Sequence, residues 1–186
     1  VQPTHRSNIN VKNLFSLLLS TVTMVLSRLD YGNATLAGLP AYLIDRLQSV
    51  LNAAARVVFS LRKYDHVTSW LQELHWLKAA QRIEYKLAVL VYRCLNSQAP
   101  SYLINELQRV SDLDARRRLR SASTNALLVP PTRRTTVGDR AFPVTAARTW
   151  NSLSAHVTSA SSLSTFKRRL KAELFVRSYF VSPSRA

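Results

Sequence analysis

The chain has 186 residues, 47% of them hydrophobic, with 26 Lys+Arg against 10 Asp+Glu and a net charge of +16. That length and apolar content suit one moderate domain, or one domain with a basic appendage, and exclude a chain too polar to build a core. A single cysteine, Cys94, excludes an internal disulfide and a cysteine-built zinc site, and three glycines leave no Gly-rich phosphate loop.

Val1–Asn10 is polar, carries Pro3, and reads as a flexible terminus or a link to an upstream domain. Val11–Leu29 reads as a buried helix; its apolar run Leu14–Leu26 spans 13 residues, too few to cross a bilayer, so no membrane is expected as partner. Gly32 and Asn33 stop that helix. Pro40 opens the next, Tyr42–Leu61, where Leu43, Leu47, Val50, Leu51, Ala54 and Val58 recur at helical spacing. His66–Trp76 reads as a short helix, and Lys78–Asn96 as a longer one that is apolar nearly all round and therefore central. Pro100–Val110 adds another short helix. At Ser111 the composition changes. Ala126–Val129 and Arg133–Val137 are expected to pair as a short hairpin across Pro130 and Pro131. Phe142–Leu153 and Leu163–Phe175 read as helices, the second with Leu163, Phe166, Leu170 and Leu174 on one side and Lys167, Arg168 and Lys171 on the other. The expected fold is mainly α: a helical bundle over 11–110, then a basic segment over 111–177 with a short hairpin and two helices. A loose tail is expected over 178–186.

No catalytic set emerges. The ten acids include no adjacent pair, so a two-metal carboxylate cluster has no local source. Asp112 and Asp114 beside a basic run read as solvated counter-charges. His66 and His75 are nine residues apart, off the spacing of a helical metal pair. Cys94 reads as a core thiol, and no serine stands in a Gly-x-Ser-x-Gly setting. No metal, cofactor or small-molecule substrate is expected. Trp70 and Trp76, among Leu71, Leu74 and Leu77, read as core. Trp150 is weighed between base stacking and a small satellite core with Phe142, Val144 and Leu153; the core is favoured.

The positive charge is lopsided. Residues 1–114 carry 12 Lys+Arg and 8 Asp+Glu, whereas residues 115–186 carry 14 and 2. The candidate binding residues are Arg116, Arg117, Arg118, Arg120, Arg133, Arg134, Arg140, Arg148, Lys167, Arg168, Arg169 and Lys171, with Arg177 beyond them. An ordinary solvated face mixes signs, and this one does not. Arginine dominates, and its planar fork suits phosphate. A polyanion is therefore the expected partner, RNA and DNA being equally open. Anionic lipid fits less well, because the arginines flank prolines and small polar residues instead of lining one long helix.

Several blocks carry a family resemblance. Ser27-Arg28-Leu29-Asp30-Tyr31-Gly32-Asn33 with Leu36-Ala37-Gly38-Leu39-Pro40 is similar to a stretch of reverse transcriptases from LINE-type (non-LTR) retrotransposons, of the chicken-repeat-like and jockey-like group. Leu47–Arg56, Asp65–Thr68, Leu74–Leu77 and Gln81–Lys86 continue it, and Gly138–Phe142, Thr149–Leu153 and Ser164–Lys171 follow in order. The resemblance covers Ser27 to Phe175. A common family pattern has Cys where this chain has Gly32. The resemblance implies thumb helices over 11–110 followed by a basic carboxyl-terminal segment, with the polymerase palm and its paired aspartates upstream of Val1. It implies a fragment of an RNA-directed DNA polymerase that is not an enzyme on its own. Its partners would be RNA and DNA, held by their backbones during target-primed reverse transcription, and the palm of the parent polypeptide. The implied location is intracellular and reducing, in nucleus and cytoplasm. The alternative is a stand-alone helical module from a decayed element, binding nucleic acid or protein.

Overall fold

The computed structural model describes residues 11–112 and 125–180. Arg116, Arg117, Arg118, Arg120 and Asp114, with residues 1–10 and 181–186, lie outside that range. The protein is mainly α-helical, and no β-strand occurs among the described residues. The longer helices are α1 (Val11–Asp30), α2 (Ala41–Val58), α4 (Ala79–Leu95), α7 (Phe142–Asn151) and α9 (Leu163–Tyr179). Short helices intervene: α3 (Thr68–Glu73), α5 (Ser101–Ile104), α6 (Thr135–Gly138) and α8 (Ala155–Thr158). Two 3₁₀ turns cover Asn33–Leu36 and Val110–Asp112.

Helix α4 is the axis of the molecule, as its all-round apolar character requires. It packs against α2, α7, α9 and the Asn33–Leu36 turn. Ile83, Leu87, Ala88, Val91 and Tyr92 on α4 join Ala146, Ala147 and Trp150 on α7, and Phe166, Leu170 and Leu174 on α9, in one buried cluster. The composition change at Ser111 therefore does not divide the core: the basic part supplies more than half of its buried residues. A second small cluster, Ala55, Val67 and Leu71, is closed by Leu74, Trp76 and Tyr179.

Polar contacts set how the helices cross. The Asp30 carboxylate at the end of α1 accepts from Arg82 Nε at 2.6 Å and Lys86 Nζ at 3.1 Å on α4. Gln48 Oε1 on α2 accepts the Ala79 amide at 2.8 Å and so satisfies an open donor at the start of α4. Prolines begin helices where a missing N–H costs nothing: Pro40 precedes α2 and Pro100 precedes α5. With so few glycines, three helix ends use other residues in the left-handed region, Ser60 (φ 52°), His75 (φ 52°) and Ser97 (φ 56°). Each is followed by the six-to-one backbone bond of a Schellman end: Leu61 to Arg56, Trp76 to Leu71, and Gln98 to Arg93.

The expected hairpin does not form. Leu127 makes an isolated antiparallel bridge with Arg109 instead, with backbone bonds from Leu128 to Gln108 and from Val110 to Ala126. Thr135–Gly138 is a helical turn. Asn151 explains the preference: its side chain accepts from the Leu127 amide at 2.8 Å and donates to the Leu127 carbonyl at 2.9 Å. The strand-like segment is thus held to the end of α7, where Leu127 is 2% exposed. The helix expected over Pro100–Val110 is a single turn, Ser101–Ile104, and α9 runs past Phe175 to Tyr179.

Candidate nucleic-acid interface

Helix α9 organises the basic part. The Ser162 hydroxyl caps it by accepting the Thr165 amide at 3.2 Å. Phe166, Leu170, Leu174 and Ser178, at successive i, i+4 positions, are buried. Phe166 lies between two rings, 4.4 Å from Tyr92 and 5.8 Å from Trp150 by centroid. This stripe turns the remaining sides of α9 outward.

The candidate cations divide into two groups. Some serve the fold. Arg177 donates to Glu84 at 3.0 Å, to the Ser152 carbonyl at 2.8 Å, and to Glu173. Arg148 pairs with Asp139 at 3.0 Å, while the Thr132 hydroxyl donates to the same carboxylate at 2.8 Å. Arg169 donates to the His156 carbonyl at 2.8 Å. The others are Arg133, Arg134, Arg140, Arg168 and Lys171, all exposed, and the half-buried Lys167; among the described residues none of the six has an ion-pair partner. These six are brought to the surface with their charge uncommitted.

Acidity follows from this pairing. Burial pushes the Glu84 carboxyl above its ordinary value; Arg177 opposes that shift and nearby Glu173 adds to it. The Thr132 hydroxyl and then Arg148 hold Asp139 below the usual carboxylate range, against some desolvation. Burial also works against ionisation of Asp30, but hydrogen bonds and charge from Arg82 and Lys86 outweigh it and lower its pKa. Burial raises the Cys94 thiol, which suits an inert core residue, and pushes Tyr179 up to about 12, so its hydroxyl stays protonated and donates to the Trp76 carbonyl at 2.6 Å.

Trp150 is 4% exposed and its indole N–H donates to the Asn125 carbonyl at 2.8 Å, so it is a core residue, and its core is the main one. Trp70 packs against Phe59 in a tilted pair with centroids 4.5 Å apart, and Trp76 closes the second cluster. None of the three tryptophans is among the exposed large hydrophobic residues. Among the described residues no group of three or more His, Cys, Asp or Glu side chains is placed to hold a metal ion. No helix among them is long and apolar enough to cross a membrane.

One lysine and one imidazole outside the original candidates lie against α9. Lys78 Nζ lies 5.2 Å above the Tyr179 ring, and the exposed His75 ring is 5.8 Å from Phe175. Sequence spacing gave no reason to group them with α9, since their neighbours there lie about a hundred positions away. Scans against protein-family models, curated proteins and solved structures find no match to this chain.

Proposed function

We propose that this chain is a non-catalytic nucleic-acid-binding part of a LINE-type reverse transcriptase, holding RNA and DNA by the phosphate backbone. The observation that carries the reading is the uncommitted charge of Arg133, Arg134, Arg140, Lys167, Arg168 and Lys171 on a rigid helical frame. Cations already neutralised by protein carboxylates contribute little to a polyanion; these six remain to displace counterions. Trp150 is buried, and Trp70 and Trp76 are half-buried in packing contacts, which favours backbone contact over stacking of bases on these indoles. The ordered blocks from Ser27 to Phe175 supply the family. On this reading the catalytic carboxylates belong to a palm elsewhere in the parent polypeptide, and α1, which packs against α2 and exposes Met24, faces it.

The test is a salt titration of binding to short RNA and DNA duplexes. Neutralising about six phosphates gives a log–log slope near about −5. A slope near zero, or no binding in dilute buffer, refutes the proposal. Incubation with primer–template, nucleotides and magnesium should give no extension.

A further inference from the structure

His75 follows α3 in the left-handed region, with φ 52°. Glycine takes that backbone freely, whereas any β-carbon strains it. The other two helix ends of this kind carry serine, a small side chain; this one carries an aromatic ring and leaves it exposed. Side chains that keep such strain cluster at binding and catalytic sites, where their placement offsets the cost.

The imidazole is the outer member of a row of rings. It packs against Phe175 with centroids 5.8 Å apart, and Phe175 packs against Tyr179 at 4.9 Å, both pairs tilted. The inner two rings are half-buried and committed to the fold: Phe175 packs on the main core and Tyr179 on the second cluster, where its hydroxyl donates to the Trp76 carbonyl. His75 is thus supported on Phe175 yet exposed to solvent. Two lysines border the row. Lys78 Nζ lies 5.2 Å over the Tyr179 ring, and the exposed Lys171 stands one turn before Phe175 on α9. The acid nearest His75 in sequence is the exposed Glu73, at the end of α3.

An exposed ring beside cations is the arrangement that holds single-stranded nucleic acid: the cations take phosphates and the ring takes the π-face of a base. A duplex gains nothing from the ring, because its bases are paired and stacked inside and its outer surface is phosphate and groove edge. We propose that His75 is a stacking platform for an unpaired base of a single strand, RNA or DNA, whose phosphates meet Lys78 and Lys171. The inference rests on the nucleic-acid-binding reading above and adds to it a contact that a base, and not a phosphate, must make.

The test is the affinity of the full chain, at low salt, for an adenine octamer in RNA and in DNA form and for a charge-matched abasic octamer, read by fluorescence anisotropy. The native chain should bind adenine octamers at least about 5-fold more tightly than the abasic one. His75→Gly should remove that difference, and it should unfold at the same or a higher denaturant midpoint, because glycine relieves the φ of 52°. A merely structural histidine would leave the difference in place. Lys171→Ala should weaken adenine and abasic octamers equally and lower the salt slope by about one. Stacking reads the base and not the sugar, so RNA and DNA should respond alike; a gain in one alone upholds the platform and assigns it to that strand. Equal binding of adenine and abasic octamers by the native chain, or a difference that survives in His75→Gly, overturns the platform while leaving duplex binding in the salt titration intact. Absence of binding to octamers and duplexes alike overturns both.

Discussion

Arg177→Ala tests how the basic part is held to the bundle. The Arg177 guanidinium is 33% exposed and serves Glu84 (25% exposed) on α4, Glu173 (19%) on α9 and the Ser152 carbonyl after α7. Removing one partner of a fully buried pair costs about 3–5 kcal/mol, because the other charge is left without compensation. Solvent reaches a third of the guanidinium, so about 2 kcal/mol is expected here. For a domain of this size that is a fall in Tm of about 4–8 °C. The pH dependence has a definite sign. The folded-state pKa of Glu84 lies above its ordinary value of 4.5, so its contribution is fully present below that value and is lost as pH rises through the raised pKa. Without Arg177 the pKa rises further and the loss grows. The gap between variant and native protein should be widest at neutral pH and shrink toward pH ~4. Adding Glu84→Gln should recover about half of the loss at neutral pH, since a neutral amide needs no counter-charge. Urea unfolding across pH measures all three quantities. A cost below about 0.5 kcal/mol that does not vary with pH refutes the reasoning and reduces Arg177 to an ordinary surface charge.

Trp150→Phe should lower stability by about 1–2 kcal/mol, through loss of the bond to Asn125 and of buried area, and leave nucleic-acid affinity unchanged. Lower affinity at unchanged stability would make Trp150 a base-stacking residue. Asn151→Ala strands both backbone groups of buried Leu127 and should cost about 2 kcal/mol by denaturant midpoint. A cost under ~0.5 kcal/mol would mean that the bridge to Arg109 suffices. Ser97→Gly should stabilise by about 0.5–1 kcal/mol, because only glycine takes a φ of 56° without penalty. Asp30 has a depressed pKa, so its contribution is present above the ordinary carboxylate value of 3.8 and is lost as pH falls through the lower folded-state value. Asp30→Asn should therefore flatten the acid limb of the stability curve, and an unchanged limb would count against the Arg82 and Lys86 pairing.

The helices were legible because their cause is local. Leu47, Leu51, Ala54 and Val58 recur every three or four residues, and the same holds for Phe166, Leu170 and Leu174, so a single buried stripe follows from spacing alone. Pro40 and Gly32 mark ends through their own backbone geometry. The hairpin reading failed for the opposite reason. Residues 126–129 have the right composition for pairing, but the partner is chosen by Asn151 and by the segment at Arg109, both distant in sequence. Trp150 was legible as a core residue, though not as part of the main core, since its neighbours Tyr92 and Phe166 come from helices α4 and α9.

Charge shows the same division. Composition placed an excess of 12 positive charges in residues 115–186, and no fold of the chain can hide so many without counter-ions. Composition treats all arginines alike, however. Only tertiary contact separates Arg177, tied to Glu84 across 93 positions, from Arg168 and Lys171 at the surface. Only tertiary contact brings Lys78 and His75 beside α9. Periodicity and net charge are sums over neighbours in the chain, so the residues themselves determine them. Which cation meets which carboxylate depends on how α4, α7 and α9 cross, and that is decided by packing.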